Sequence, residues 1–189
     1  RPTASFYKNR KDGCVPLSVT LSSNSYTFAH DPVTSYTWCN GATPPVFITG
    51  LGPAIPSQTF VYNAAGTYSP YLIIQTAAGC ADISFTEQVT AAVPPVISFT
   101  FTPNEVCHDE PVQIINTTAP SVSSTVNHWH VESDEGYFSG CINDPNPSWA
   151  FTHVGVHSLT MSAYVDGCRS SVTSVGQVTV NGPIVSGRY

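Results

Sequence analysis

Apolar and polar residues alternate with a period of two in short runs along this chain. "LSVTLSS" (17–23) and "PVQIINTT" (111–118) do so, and so do "YSPYLIIQT" (68–76) and "HSLTMSAYV" (157–165). Side chains on a strand point to opposite faces in turn, so this alternation predicts strands with one face in a core and one outside. "AAGCADI" (77–83) and "VDGCRSS" (165–171) fall where hairpin turns belong, with glycine supplying positive φ. No stretch keeps helix periodicity for longer than a turn. The pattern predicts an all-β chain of short strands.

The pattern also occurs twice. "DGCVPLSVTLSSNS" (12–25) matches "EVCHDEPVQIINTT" (105–118), and "SYTWCNG" (35–41) matches "NHWHVES" (127–133) through the tryptophan. "AGTYSPYLIIQTAAGCADIS" (65–84) matches "VGVHSLTMSAYVDGCRSSVT" (154–173). Cys14 to Cys107, Trp38 to Trp129 and Cys80 to Cys168 are offset by 93, 91 and 88 residues, three anchors in one order. The proline pair in "AAVPPV" (91–96) predicts a short, stiff linker. The expected domains are 1–92 and 93–183, followed by a tail at 184–189. Seven or so short strands in each copy point to two immunoglobulin-like β-sandwiches.

Composition narrows the function classes. The chain is 41% hydrophobic and 10% charged, and its net charge is −6. Too few basic residues cluster to track a phosphate backbone, so no nucleic-acid partner is expected. No apolar run is long enough to span a membrane. Six cysteines without a CxxC point to an oxidising compartment rather than to zinc. The chain opens on Arg rather than Met, and is read as a mature fragment or one segment of a longer secreted protein.

In the first copy, Gly13, Cys14, Pro16, Leu17, Val19, Tyr36, Trp38, Gly66, Tyr68, Gly79 and Cys80 form a pattern that resembles the PKD (polycystic kidney disease) domain. It is most similar to the cysteine-bearing version in secreted and surface proteins of bacteria. Residues 36–54 are also similar to repeats of gliding-type surface adhesins. In the second copy the likeness rests on Cys107, Pro111, Val112, Trp129, Pro147, Phe151, Gly155, Gly167 and Cys168. The resemblance implies a PKD-type sandwich in an extracellular or cell-surface protein, with Trp38, Trp129, Tyr68 and Phe151 in the cores. Cys39-Asn40-Gly41 and His130-Val131-Glu132 stand where the family has an acidic turn, which puts any role of that turn in doubt.

The candidate chemistry lies mostly in "TVNHWHVESDEG" (125–136). If Trp129 faces the core, His128 and His130 face outward with Glu132, and the expectation is two solvated histidines on an open sheet face. His153 and His157 follow from a neighbouring strand region, with His157 in the inward slot of Tyr68. A metal site needs three or four converging ligands, and none is assigned. The family resemblance brings in calcium, for which Asp134, Glu135, Asn143 and Asp144 are weak candidates. Trp149, Tyr137 and Phe138 are candidate ligand contacts, Trp149 for stacking on a sugar. Asn116 opens the only N-glycosylation sequon. No nucleophile motif and no cofactor signature is present.

The cysteines Cys14, Cys39, Cys80, Cys107, Cys141 and Cys168 are all disulfide candidates, and sequence leaves their pairing open. In an immunoglobulin-like sandwich Cys14 and Cys39 belong near one end, as do Cys107 and Cys141. Cys80 and Cys168 belong to hairpins at the other end, roughly 20 Å away. Cα atoms more than about 7 Å apart cannot be bridged, which argues against Cys14–Cys80 and Cys107–Cys168 within one domain. Cys168 bridging to Cys14 or Cys39 across the junction is the alternative, with Cys80 left to reach another molecule.

The expected function is structural: a tandem spacer in a bacterial surface protein, or a subunit of an extracellular fibre, in contact with its own copies or with neighbouring domains. Tyr71 and Ile73, on the outer face by alternation, would supply contact surface. The alternative is a polysaccharide- or protein-binding accessory module of a secreted hydrolase. A catalytic role is not expected.

Overall fold

The computed structural model describes residues 1–182 except 29, 52–55, 124, 136, 137, 143–145 and 172; for 138–142 and 173–175 it describes the backbone alone. The chain divides into two compact units, Arg1–Val93 and Pro94–Tyr189, each with its own buried core. The tail predicted at 184–189 lies outside the described residues.

The first unit contains β1 (Phe6–Lys8), β2 (Asp12–Cys14), β3 (Leu17–Ser23), β4 (Val33–Cys39), β5 (Phe47–Leu51), β6 (Ser57–Tyr62), β7 (Gly66–Tyr68), β8 (Tyr71–Thr76), β9 (Ala81–Ile83) and β10 (Val89–Ala92). They form sheets ordered β1-β3-β6, β2-β10-β7 and β5-β4-β8-β9. Alternation decides the core. Leu17, Val19 and Leu21 of β3 meet Trp38, Leu72 and Ile74 of β4 and β8, and Phe6 packs edge-on against the indole at 5.8 Å.

The second unit contains β11 (Phe99–Thr102), β12 (Glu105–Cys107), β13 (Pro111–Asn116), the one-turn helix α1 (Pro120–Ser123), β14 (His128–Ser133), β15 (Phe138–Ile142), β16 (Ser148–Ala150), β17 (Gly155–Val165), β18 (Cys168–Arg169) and β19 (Thr173–Asn181). Its sheets run β11-β13-β16 and β12-β19-β17-β14-β15, with β18 on β17. Trp129, Phe151, Leu159, Met161 and Val178 fill its core.

There are more strands than the seven expected per copy, for two reasons. The first strand of each domain changes sheet. β1 pairs antiparallel with β3, whereas β2 pairs parallel with β10; β11 and β12 repeat this with β13 and β19. In the second copy Pro103 sits at the switch and has no N–H for the ladder. The second reason is Pro70, which separates β7 from β8. Leu159 stands at the matching place, and there the strand runs unbroken as β17. The predicted linker is also shorter than "AAVPPV", because Ala91 and Ala92 belong to β10.

Candidate functional site

Trp38 is fully buried and Trp129 is 4% exposed. Trp129 lies opposite Ala163 in the β14–β17 ladder, and His130 lies opposite Ser162 on the other face. Here the expectation of two solvated histidines needs correction, since His130 is only 5% exposed. Alternation fixes the face a side chain takes, not whether its neighbours reach over it. Tyr164 stacks on His128 at 4.5 Å and meets His130 edge-on at 6.3 Å. His130 Nε2 stands 3.1 Å from Glu132 Oε1, and Arg169 Nη2 donates to the same oxygen at 3.3 Å. Arg169 Nε donates to Ser162 Oγ, and its guanidinium stands 5.8 Å from the centre of the Tyr164 ring. These long side chains roof the outer face.

A second polar cluster forms where β14 ends. Glu135 is nearly buried, and its carboxylate accepts from Thr152 N at 3.1 Å, Thr152 Oγ1 at 2.9 Å and His153 N at 2.9 Å. Burial alone would raise its pKa. The Thr152 and His153 hydrogen bonds and the nearby His157 outweigh that and hold it below its ordinary 4.5. Asp134 Oδ1 accepts from Ser158 N at 2.9 Å and lies 3.5 Å from His157 Nδ1. Both carboxylates are thus engaged with β17 and the loop before it. Asn143 and Asp144, the other calcium candidates, lie outside the described residues. Among the described residues no group of three or more His, Cys, Asp or Glu is arranged to hold a metal ion.

His157 does take the slot of Tyr68. Tyr68 Oη donates to the carbonyl of Ala64, four residues back, at 2.7 Å. His157 Nε2 makes the matching bond to the carbonyl of His153, also four back, at 2.8 Å. Tyr68 packs on Tyr62 with ring centres 4.2 Å apart, and His157 stacks on Phe151 at 4.8 Å. Each ring pins the chain as it enters a strand, the role of a tyrosine corner in immunoglobulin-like domains. Asn116 of the sequon is drawn into the scaffold as well: its Oδ1 accepts from Thr118 N and its Nδ2 donates to Ser123 Oγ.

Trp149 is half-buried against the second core. With Glu135, Ser148, Ala150 and Thr152 it lines an open cavity of about 300 Å³. Its Nε1 is buried and has no acceptor among the described residues. Tyr137 lies outside the described residues, and of Phe138 only the backbone, in β15, is described.

One surface went unassigned in the sequence reading, apart from Tyr71 and Ile73. The outer face of β5-β4-β8-β9 carries the cross-strand rows Phe47–Cys39–Tyr71 and Thr49–Thr37–Ile73–Ile83, with Leu51 beside them. Leu51 is 82% exposed and Ile83 61%, while Tyr71 and Ile73 are half-buried. Phe47 and Tyr71 meet edge-to-face above Cys39, whose thiol is buried. A hydrogen bond with that thiol, and then burial, raise the Tyr71 hydroxyl above its ordinary pKa. The signal was the alternation in "VFITGL" (46–51), which shares a register with β4.

Cys14 and Cys168 are disulfide-bonded. Cys39, Cys80 and Cys107 are free thiols, the last two exposed. Cys141 lies opposite His130 in β15, and its side chain is outside the described residues. No helix among the described residues is long and apolar enough to cross a membrane.

No protein-family model matches the chain, and no curated protein matches it in sequence. Among solved structures it is similar to the fibronectin(III)-like modules of CbhA from Clostridium thermocellum, with a TM-score of 0.64 at 15% identity, covering 100% of this chain and 98% of that one. It is also similar to murine CEACAM1b, with a TM-score of 0.53 at 9% identity, covering 96% of this chain and 100% of that one. The likeness is one of fold: both units are β-sandwiches of the fibronectin III-like and immunoglobulin-like kind.

Proposed function

We propose that this chain is a structural and adhesive module of the bacterial cell surface, a tandem PKD-type spacer in a larger surface protein or a subunit of an extracellular fibre. One observation carries the reading. The polar side chains that sequence singled out as chemistry are engaged in holding the scaffold: Asp134, Glu135 and His157 tie a turn to a strand, and His130 packs beneath Tyr164 beside Glu132. The disulfide-bonded state of Cys14 and Cys168 supports an oxidising, extracellular setting. The outer row of Phe47, Leu51, Tyr71, Ile73 and Ile83 supplies contact surface for further copies or neighbouring domains. No catalytic step belongs to this reading. Electron microscopy of the concentrated, non-reduced protein tests it. Filaments or side-by-side arrays are expected, and isolated monodisperse particles at every concentration would reject the fibre form.

The cavity beside Trp149 favours a second reading, a polysaccharide-binding module. The indole ring that lines this cavity suits a pyranose face. Retention on insoluble chitin or cellulose, lost in Trp149→Ala with the fold intact, would favour binding over scaffolding.

A further inference from the structure

Four of the six cysteines occupy two kinds of place, and each kind occurs once per domain. Cys14 closes β2, a three-residue strand paired in parallel with the last strand of its domain, opposite Ala92. Cys107 closes β12, which pairs in the same way with β19, opposite Asn181. Cys80 follows Gly79, at φ 81°, in the hairpin after β8. Cys168 follows Gly167, at φ 71°, in the hairpin after β17. Cys14 and Cys107 are strand-end cysteines, whereas Cys80 and Cys168 are hairpin cysteines.

Their chemical states divide the other way. One of each kind, Cys14 and Cys168, is disulfide-bonded. The other of each kind, Cys107 and Cys80, is a free and exposed thiol. Within either domain one cysteine is bonded and its companion is free. A strand-end cysteine therefore does not pair with the hairpin cysteine of its own domain. Among the described residues, what remains unpaired and accessible is one strand-end thiol on the second domain and one hairpin thiol on the first.

We propose that Cys107 of one copy forms a disulfide with Cys80 of a second copy, so that copies of this chain join covalently in series. The proposal rests on the reading of the chain as a structural repeat and names the partner, another copy of itself. The two thiols differ in position, so the contact is heterologous: every series of copies keeps one free thiol at each of its ends, and it need not close. The chemistry needs a disulfide donor, for which oxidised glutathione is the simplest class. A Cys107 or Cys80 thiolate attacks the donor and releases one glutathione thiol. The other thiolate then attacks the mixed disulfide and releases the second. Two protein thiols lose two protons and two electrons, and the donor gains them as two thiols. Cys39 is buried and does not compete.

The test uses the purified full chain in a glutathione redox buffer, read by non-reducing electrophoresis and peptide mapping. A ladder of multimers is expected, containing an intermolecular Cys80–Cys107 peptide. Cys80→Ser alone and Cys107→Ser alone should each abolish the ladder, while an equimolar mixture of the two variants should give a dimer and stop there. A wild-type ladder that ends at dimers with Cys80–Cys80 or Cys107–Cys107 peptides would overturn the proposal, as would a ladder that survives in either single variant or wild-type protein that stays monomeric. Filaments of the Cys80→Ser/Cys107→Ser double variant under the microscope would reject the covalent link and leave the structural reading standing. Tight Trp149-dependent retention on polysaccharide, with no assembly of any variant, would reject the structural reading itself.

Discussion

Gly41 shows how much one position can decide. It has φ +69°, a region that L side chains rarely adopt, and a Cβ there would stand against the backbone of Ser69. Asn40 beside it accepts from Ala42 N at 3.1 Å and Val46 N at 2.9 Å, and its carbonyl accepts from Tyr62 Oη at 3.0 Å. Burial, and then Cys39 and Tyr68, push that Tyr62 hydroxyl up to about 12. Gly41→Ala should destabilise the first domain by about 3 kcal/mol, combining a strained φ with an overpacked contact, as read by urea unfolding. Glu135 gives a pH prediction. Its folded pKa lies below its ordinary 4.5, so its stabilising contribution is complete above that value and is lost as pH falls through the folded pKa. Glu135→Gln should lower stability at pH 7 and flatten the acid limb of the unfolding curve below about pH 4.5. The slots of Trp38, Trp129, Tyr68 and Phe151 were legible in the residues, because alternation and the repeat fix them. The roof over His130 was not, because it depends on the lengths of Tyr164, Glu132 and Arg169, and one of these comes from a hairpin after the strand.

At the level of strands, a period of two told which face each side chain takes and little about where a ladder breaks. The passage of the first strand from one sheet to another leaves the apolar pattern unchanged, since both segments bury alternate residues. The split between β7 and β8 was in principle readable from Pro70, which cannot donate to a ladder. The outer face of β5-β4-β8-β9 follows from register rather than from any one strand. Ile83→Lys on this face should change stability by less than about 0.5 kcal/mol, because the residue is exposed and sits on an edge strand. It should also reduce association of the concentrated protein. Thermal melts and light scattering at matched concentration check both halves of this expectation.

Over the whole molecule, duplication was the most informative signal: three anchors in one order pointed to two sandwiches, and two separate cores are present. Trp38→Ala should cost the first domain about 3–5 kcal/mol. Hydrogen exchange should then show protection falling across residues 1–93 and persisting in the strands of the second domain, since the indole belongs to the first domain's core and the second domain has its own. The parallel pairing of β2 with β10, and of β12 with β19, has a mechanical consequence. In each domain a segment near the start of the chain lies beside the last strand and runs in the same direction. Val15 N to the Ala92 carbonyl at 2.9 Å and Thr90 N to the Lys11 carbonyl at 2.8 Å fasten the first pair; His108 N to the Asn181 carbonyl at 3.1 Å and Thr179 N to the Asn104 carbonyl at 2.9 Å fasten the second. A domain pulled from its two ends must slide these strands past one another, which loads their hydrogen bonds in shear and together rather than one after another. Such a clasp resists tension best when the domain is pulled along the direction of these strands.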